Sequence, residues 1–317
     1  MLELRKDYLT ESYVIISTER GNRPHQFKKK FEDQVPEIDY FAPKNEHMTP
    51  DEIGRWPPDA KGGAWKIRWF ENKFAAVKPK GTYGIRTDND FFTFSDAFGY
   101  HEVIVESPDM EKQLADVDIK HLTQVLKIYS DRIKELSKRE GIEYVAVFKN
   151  KGVSAGTSIY HTHSQVVAYN KVPETILEEE RICQEHTVDP YERIINVERE
   201  SFRSVKENKT MVCFCPYASK FPLEVMIFPK RFVLNITDFS EQEFKDLAGL
   251  LHFVLEKLKT INAPYNYFLH YGINKMRFHL TVAPRLATWA GFELSTGTVI
   301  NTISPEGAAR FYRGEDD

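Results

Sequence analysis

The pattern of apolar and polar residues predicts a recurring order of secondary-structure elements. Apolar residues with a period of about 3.6 run through residues 119–136, which predicts a helix with Asp118 as its N-cap and Gly141 at its end. Residues 142–149 then read as a strand, followed by a segment of small residues and by a strand that carries His161 and His163 and ends at Tyr169. This first run is therefore helix, strand, loop and strand.

A second run has the same order. Ser240 and Glu243 are spaced as a capping box, and the apolar stripe behind them predicts a helix over residues 244–261. Residues 265–271 and 277–283 read as the two strands that follow. Because the two runs lie about 120 residues apart, we predict an internal duplication of one supersecondary unit.

The first third of the chain is predicted to be rich in strands. A Pro/Gly-rich region over residues 35–64 separates strands predicted at residues 13–17, 74–77 and 101–106. Together with the duplication, this predicts an α+β protein whose antiparallel sheets carry helices on one face. We predict two halves, residues 1–172 and 173–317, that form an intramolecular pseudo-dimer.

Composition and charge narrow the class of protein. Of 317 residues, 41% are hydrophobic and 28% are charged, as in soluble globular proteins. The net charge of -4 predicts no general attraction to nucleic acid or membranes, and no apolar run approaches the ~18 residues that span a bilayer. Three cysteines, Cys183, Cys213 and Cys215, make no disulfide framework, so we expect a cytoplasmic protein.

Candidate chemistry is concentrated at residues 150–165. A loop of small residues leads there into His161-x-His163-x-Gln165, and in a strand this spacing places the three side chains on one face. Two imidazoles and an amide beside a loop of backbone N–H donors are typical of a phosphate site with a histidine nucleophile. The alternative is a surface strand with two solvated histidines, and the spacing alone does not separate the two interpretations.

Several separated segments resemble one protein family, in the right order. They are Arg20–Pro24, Asn45–Pro50, Phe70–Phe74, Asn150–Gly152, Gly156–Ser158, His161-x-His163-x-Gln165 and Gly291–Glu293. On these segments the chain resembles the galactose-1-phosphate uridylyltransferases, a branch of the histidine-triad superfamily. The resemblance implies two histidine-triad-like halves, of which residues 1–172 carry the nucleophile. The other half, residues 173–317, is degenerate, with a single His279 followed by Thr281.

The resemblance implies a ping-pong nucleotidyl transfer. His163 would attack the α-phosphorus of a nucleoside diphosphate sugar, form a covalent nucleotidyl-histidine and release the sugar 1-phosphate. A neutral imidazole is nucleophilic near pH 7, and a backbone carbonyl of the motif can hold its other nitrogen as N–H. Ser158 and the amides around Gly156 can donate hydrogen bonds to phosphate oxygens.

Gln165 indicates which acceptor takes the nucleotidyl group. The hydrolytic branch of the superfamily has a third histidine at this position. An amide can hydrogen-bond a phosphoryl oxygen but cannot exchange a proton near pH 7. Gln165 therefore favours transfer to a phosphate acceptor over transfer to water.

Further residues acquire roles from the resemblance alone. Those implied for the nucleotide and its phosphates are Arg20, Arg23, Phe70, Asn72, Asn150, Gly156, Ser158 and Gln165. Those implied for the acceptor sugar are Phe292 and Glu293. The resemblance also implies a homodimer that takes a nucleotide or nucleotide sugar and a phosphate-bearing acceptor.

The family's first metal position is altered in this sequence. His161 matches a zinc ligand of the family, but Asp39, Ala42 and Met110 stand where the other three ligands would be. Alanine and methionine do not complete a tetrahedral zinc site. We therefore predict no zinc at His161, which would have a structural role or form a local hydrogen bond.

The second metal position is partly kept. Glu179, His270 and His279 match three ligands found in some family members, and Thr281 replaces the last histidine. Three ligands can hold a divalent metal with water as the fourth, whereas a lone histidine on a strand is more often a satisfied core residue. Both interpretations stay open, and no other cofactor is predicted.

Three functions remain possible. The first is a uridylyltransferase that acts on UDP-glucose and a hexose 1-phosphate. The second is an adenylyltransferase or phosphorylase that moves AMP from ADP-glucose, adenylyl sulfate or a dinucleoside polyphosphate to phosphate. The third is a non-catalytic nucleotide-binding protein, against which the presence of His163, Gln165 and Ser158 weighs.

Overall fold

The computed structural model describes residues 1–21, 35–62 and 64–315. Within them the helices are α1 (Thr18–Gly21), α2 (Ile119–Leu136), α3 (Glu174–Glu185), α4 (Pro190–Arg199), α5 (Glu241–Thr260), α6 (Gly291–Thr296) and α7 (Pro305–Arg313). The strands are β1 (Leu2–Lys6), β2 (Tyr13–Ser17), β3 (Glu52–Trp56), β4 (Ile67–Glu71), β5 (Arg86–Asp88), β6 (Phe92–Phe94), β7 (Gly99–Val105), β8 (Tyr144–Lys151), β9 (His163–Tyr169), β10 (Ser204–Glu207), β11 (Met211–Phe214), β12 (Val225–Pro229), β13 (Tyr265–His270), β14 (His279–Pro284) and β15 (Val299–Asn301). In the part of the chain that the structure describes, no helix is long and apolar enough to cross a membrane.

The described chain forms two compact units. The first, which we call the His163 unit, comprises residues 35–62, 64–149 and 159–174. The second, the His279 unit, comprises residues 1–21, 150–158 and 175–315. The division at residue 172 into two histidine-triad-like halves stays a prediction.

In the His163 unit, α2 lies against an antiparallel sheet. The strand order is β8-β9-β7-β4-β3, and each neighbouring pair runs antiparallel. The Asp118 carboxylate accepts the His121 N–H at 2.7 Å, which confirms the predicted N-cap. The helix ends at Leu136, five residues before Gly141, which has φ of 77° and lies in the turn before β8.

The His279 unit also contains a five-stranded antiparallel sheet with a helix against it, together with further elements. Its larger sheet has the antiparallel order β10-β11-β12-β14-β13, against which α5 packs, and a small sheet has the order β1-β2-β15. Ser240 and Glu243 form the predicted capping box at the start of α5. Helices on antiparallel sheets confirm the α+β class.

The repeated order of elements is confirmed. The sequence α2, β8, loop and β9 is matched by α5, β13, loop and β14. His163 is the first residue of β9, and His279 is the first residue of β14. In each case Nδ1 lies within hydrogen-bond distance of the carbonyl two residues earlier, at 2.8 Å from His161 O and 3.3 Å from Arg277 O.

One predicted strand is wrong. Residues 74–77 form a turn, and the strand of this region is β4, which ends before it. The Asn72 side chain accepts the Phe74 N–H at 2.9 Å, and this local bond closes the turn and leaves Phe74 85% exposed. Helices α3 and α4 and strands β10–β12 were not predicted.

Candidate active site

The predicted nucleophile and its glutamine share one face of the His163 unit. His163 and Gln165 are two residues apart on β9, where they stand opposite Val105 and Val103 of β7. Val103 in turn stands opposite Phe70 of β4. These apolar residues form a buried cluster with Phe41 and Trp65, and the side chains of His163 and Gln165 lie beside this cluster.

The His163 ring is held in one tautomer. Its Nδ1 lies 2.8 Å from the His161 carbonyl, which can only accept, so Nδ1 carries the proton and Nε2 keeps its lone pair. Burial, and to a lesser degree the nearby Lys149 ammonium, lower the pKa of His163 from 6.5 to about 4. The imidazole is therefore neutral at pH 7, and the predicted carbonyl contact is confirmed.

A buried ion pair supports this strand from the opposite face. Lys149 donates to the Glu106 carboxylate and, at 3.0 Å, to the His163 carbonyl. Glu106 also accepts hydrogen bonds from the hydroxyls of Tyr129, Thr162 and Ser164. Burial by itself would raise the pKa of the Glu106 carboxyl, but the Lys149 charge and the hydroxyl donors outweigh it and lower that pKa below its ordinary value.

Gln165 contacts a histidine that the sequence did not single out. His101 Nε2 lies 2.8 Å from Gln165 Oε1 and 3.2 Å from Asn72 Nδ2. Two predicted nucleotide-binding residues, Asn72 and Gln165, therefore lie beside the same nitrogen of His101. Side chains alternate between the two faces of a strand, so the predicted strand 101–106 could have placed His101 on the face of Val103 and Val105. It could not have predicted the contact between His101 and Gln165.

His161 is engaged by hydrogen bonds at both ring nitrogens. Nδ1 lies 2.9 Å from both Asp39 carboxylate oxygens, and Nε2 lies 2.6 Å from the Ser107 carbonyl. The Ser107 carbonyl can only accept, so Nε2 carries a proton, and the Asp39 carboxylate is the partner of Nδ1. Asp39, which stands at a ligand position of the family, is here a hydrogen-bond partner of His161, and the absence of zinc stays a prediction.

Glu179, His270 and His279 come together in the His279 unit. Their potential ligand atoms lie within 4.8 Å of one another, and a cavity of about 160 Å³ adjoins them. The His270 Nδ1 is buried without a well-formed hydrogen bond, at 3.4 Å from Glu179 Oε1. Burial opposes the charged carboxylate, but His270, His279 and the Tyr191 hydroxyl outweigh it and lower the pKa of Glu179 to about 2.

The small-residue loop belongs to the His279 unit. Asn266 Nδ2 donates at 2.8 Å to both Asn150 Oδ1 and the Ala155 carbonyl, so one side chain of β13 holds both of these residues. Gly156 has φ of 86°, a left-handed conformation that favours glycine, and open space where a Cβ would lie. Ser158 is exposed.

The remaining predicted residues are more dispersed. Arg20 lies in the last turn of α1 and is partly exposed, whereas Arg23 lies outside the described residues. Phe70 is buried in the apolar cluster. In α6, Phe292 is 45% exposed and the Glu293 carboxylate accepts the Ala290 N–H at 2.9 Å.

Comparison with known proteins places the chain in a family. Residues 2–173, more than half of the chain, match the model of the N-terminal domain of galactose-1-phosphate uridyl transferase. The chain belongs to the galactose-1-phosphate uridylyltransferase family. Residues 96–310 also match a domain of unknown function.

Relatives in this family cover nearly the whole chain. ADP-glucose phosphorylase of Arabidopsis thaliana is 31% identical, over 98% of this chain and 92% of that protein. Galactose-1-phosphate uridylyltransferase of Thermotoga maritima is 27% identical, over 99% of this chain and 98% of that protein. The crystal structure of the Arabidopsis thaliana ADP-glucose phosphorylase with bound ADP-glucose aligns with 99% of each chain, at a TM-score of 0.84 and 29% identity.

The family assignment makes this chain a nucleotidylyltransferase, as predicted. The sequence located the histidine motif of the family but missed the groups that support it. Lys149 belongs to β8 and Glu106 directly follows β7, 43 residues earlier, and only the structure shows that the two side chains form a buried ion pair. A lysine and a glutamate inside otherwise apolar strands were the available signal.

Proposed function

We propose that this enzyme transfers a nucleotidyl group through a covalent bond to His163. The observation that carries the proposal is the hydrogen bond from His163 Nδ1 to the His161 carbonyl, which leaves Nε2 unprotonated beside Gln165. A buried, neutral imidazole with a fixed tautomer is suited to nucleophilic attack.

The transfer takes place in two half-reactions. In the first, His163 Nε2 forms a bond to the α-phosphorus while the bond from that phosphorus to the bridging oxygen breaks, and the sugar 1-phosphate leaves. In the second, an oxygen of a phosphate acceptor bonds to the same phosphorus, and the P–N bond breaks to return neutral His163. Gln165 stabilises charge on the phosphoryl oxygens. Asn150, Gly156, Ser158, Arg20 and Arg23 keep the phosphate-binding roles inferred from the sequence.

We propose ADP-glucose as the donor and inorganic phosphate as the acceptor. The 31% identity with the ADP-glucose phosphorylase of Arabidopsis thaliana, over nearly the whole chain, supports this choice. The second candidate is transfer of UMP from UDP-glucose to a hexose 1-phosphate, which the match of residues 2–173 to the uridyl transferase domain supports. In that case Phe292 and Glu293 would contact the acceptor sugar.

The donor is tested by covalent labelling. The enzyme is incubated separately with ADP-glucose and UDP-glucose labelled at the α-phosphate, quenched, and analysed for acid-labile, base-stable label on His163. We expect label from ADP-glucose and release of ADP when phosphate is added. Label from UDP-glucose alone would select the second candidate, and no label from either would contradict the covalent mechanism.

Titration of His163 should change the rate of nucleotidylation little between about pH 5.5 and pH 8. The pKa of His163 is lowered to about 4, so Nε2 stays unprotonated over this range. Protonation removes the nucleophilic lone pair only at lower pH. Single-turnover labelling across a pH series measures this rate. A tenfold fall per pH unit beginning near pH 6.5 would show that the histidine titrates as in solution.

Gln165→His is expected to raise hydrolysis relative to transfer. An imidazole can exchange a proton with water near neutral pH, whereas the amide of Gln165 cannot. Product analysis with ADP-glucose and phosphate gives the ratio of AMP to ADP. We expect this ratio to rise several-fold, and an unchanged ratio would contradict the role given to Gln165.

The cluster in the His279 unit fits a divalent metal. Glu179, His270 and His279 offer one oxygen and two nitrogen donors, and the buried His270 Nδ1 lacks another strong partner in the described chain. We propose that they hold the metal with a structural role, since no step of the transfer involves it.

Removal of one ligand tests the metal site. Chelator-treated enzyme titrated with Zn²⁺ by calorimetry is expected to bind one equivalent, with affinity lowered by at least about 10-fold in His270→Ala. His186→Ala, which removes an exposed histidine, is the control. Equal affinity in His270→Ala, or no binding by the unchanged enzyme, would show that these residues are a satisfied core cluster.

We also infer that the two units descend from one histidine-triad-like ancestor, so that the chain corresponds to an intramolecular pseudo-dimer with one degenerate half. The matched positions and Nδ1 contacts of His163 and His279 support this inference. A homodimer is proposed from the family resemblance, and sedimentation equilibrium tests it.

A further inference from the structure

His101 lies on the same face of the sheet as the candidate nucleophile. On β7, His101 and Val103 are two residues apart, and Val103 stands opposite Gln165 of β9. His101 is therefore the diagonal neighbour of Gln165, a position from which a long side chain reaches across strands. It is 8% exposed, and Gln165 is partly exposed.

The hydrogen bonds of His101 determine its tautomer. The Ala76 backbone N–H donates to His101 Nδ1 at 3.1 Å, and a nitrogen that accepts carries no proton. Burial lowers the pKa of His101, which keeps the ring neutral at pH 7. The single ring proton is therefore on Nε2, which makes Nε2 a donor.

This donor determines the orientation of the Gln165 amide. The Gln165 atom that lies 2.8 Å from His101 Nε2 must accept, so it is Oε1 and not the amide nitrogen. The Asn72 Nδ2, at 3.2 Å from the same ring nitrogen, cannot accept this proton, because Asn72 Oδ1 accepts the Phe74 N–H and the group near His101 is the NH₂. Gln165 Oε1 is thus the acceptor that satisfies His101 Nε2–H.

The position of Oε1 also determines where the NH₂ group of Gln165 lies. With Oε1 held by His101, the NH₂ group of Gln165 points away from it, and within the described residues it donates to no other group. We propose that His101 is a positioning residue that holds Gln165 with its NH₂ group toward the phosphoryl oxygens of the substrate. Without this bond the amide can turn over and present its oxygen, which repels the phosphate. The proposal deepens the nucleotidyl-transfer function and rests on it.

Two matched substitutions separate the two hydrogen bonds of His101. His101→Asn places an amide oxygen where Nδ1 accepts the Ala76 N–H, but it lacks the donor to Gln165. His101→Gln reaches the position of Nε2 and supplies an NH₂ donor to Gln165. With ADP-glucose and phosphate as substrates, we expect His101→Asn to lower kcat about 10-fold with little change in KM, below the ~10²-fold cost of losing one oxyanion donor outright. We expect His101→Gln to stay within about threefold of the unchanged enzyme.

A double-mutant cycle tests whether His101 acts through Gln165. In the Gln165→Ala background, His101→Asn should cause no further loss of kcat, because the amide that it positions is gone. Equal losses in His101→Asn and His101→Gln, or losses that multiply with Gln165→Ala, would show that His101 only supports the fold, and the proposal would be overturned.

One measurement is independent of turnover. The ¹⁵N chemical shifts of the His101 ring in the substrate-free enzyme report its tautomer, and we expect the proton on Nε2 with Nδ1 unprotonated. A proton on Nδ1 would overturn the positioning role even in a fully active enzyme. Conversely, an Nε2–H tautomer in a protein that transfers no nucleotide would contradict the proposed function and the positioning role that rests on it.

Discussion

His163→Ala is expected to reduce nucleotidyl transfer by about 10⁴-fold or more and to abolish covalent labelling. The substitution removes the nitrogen that would bond to the α-phosphorus, and the described structure offers Gln165 next on the same face, whose amide is not a nucleophile. Single-turnover labelling and steady-state release of ADP measure the two effects.

The loss of transfer reports on the nucleophile only if the His163→Ala variant stays folded. His163 is 6% exposed, so its removal leaves a small cavity and the His161 carbonyl without its donor, at a cost of about 1–3 kcal/mol. Thermal unfolding and circular dichroism check that the variant stays folded. His186→Ala is the control for removal of an exposed histidine and should label normally. If His163→Ala takes up no label but still turns over near the original rate, the covalent mechanism is contradicted.

Lys149→Met is expected to destabilise the fold by about 3–5 kcal/mol. Lys149 and Glu106 are 1% and 0% exposed as side chains, so removing the ammonium leaves a buried carboxylate without its counter-charge. Chemical denaturation at pH 7 measures the free energy of unfolding. Because acid can neutralise the unpaired Glu106, the penalty should shrink as the pH is lowered.

Two variants bracket the interpretation. Lys149→Met combined with Glu106→Gln should be more stable than Lys149→Met alone, because the buried charge is gone and the amide still bonds the surrounding hydroxyls. Arg181→Met breaks an exposed ion pair with Glu185, whose side chains are 62% and 61% exposed, and should cost less than about 1 kcal/mol. A Lys149→Met cost as small as that of Arg181→Met would show that the buried pair adds no stability.

Much of the fold was predictable where the stabilising contacts are local. The Asp118 cap and the Ser240–Glu243 box each satisfy backbone N–H groups within three residues, so their residue types mark the helix starts. The end of the histidine strand at Tyr169 was also predicted, but β9 begins at His163, so His161 lies before the strand rather than on it. The contact that fixes the His163 tautomer belongs to this class, because its partner is two residues away.

The prediction failed where hydropathy and local hydrogen bonding disagree. The apolar residues 74–77 suggested a strand, but the Asn72 side chain closes a turn there. Helix α3 was missed because five of its twelve residues are Glu, which obscures its apolar stripe. In the structure, one of them, Glu180, is buried and accepts four backbone N–H groups of residues 273–276, a role that no periodicity indicates.

The sequence by itself determined the class of fold, the repeated order of elements and the candidate nucleophile, because these depend on short periodic patterns and on residue types at fixed spacing. Only the tertiary structure decided which partner each buried polar group has. Asp39 reaches His161 across 122 residues, His101 reaches Gln165 across 64, and Glu106 reaches Lys149 across 43. A buried polar group must be paired, but strand register decides which distant side chain stands beside it.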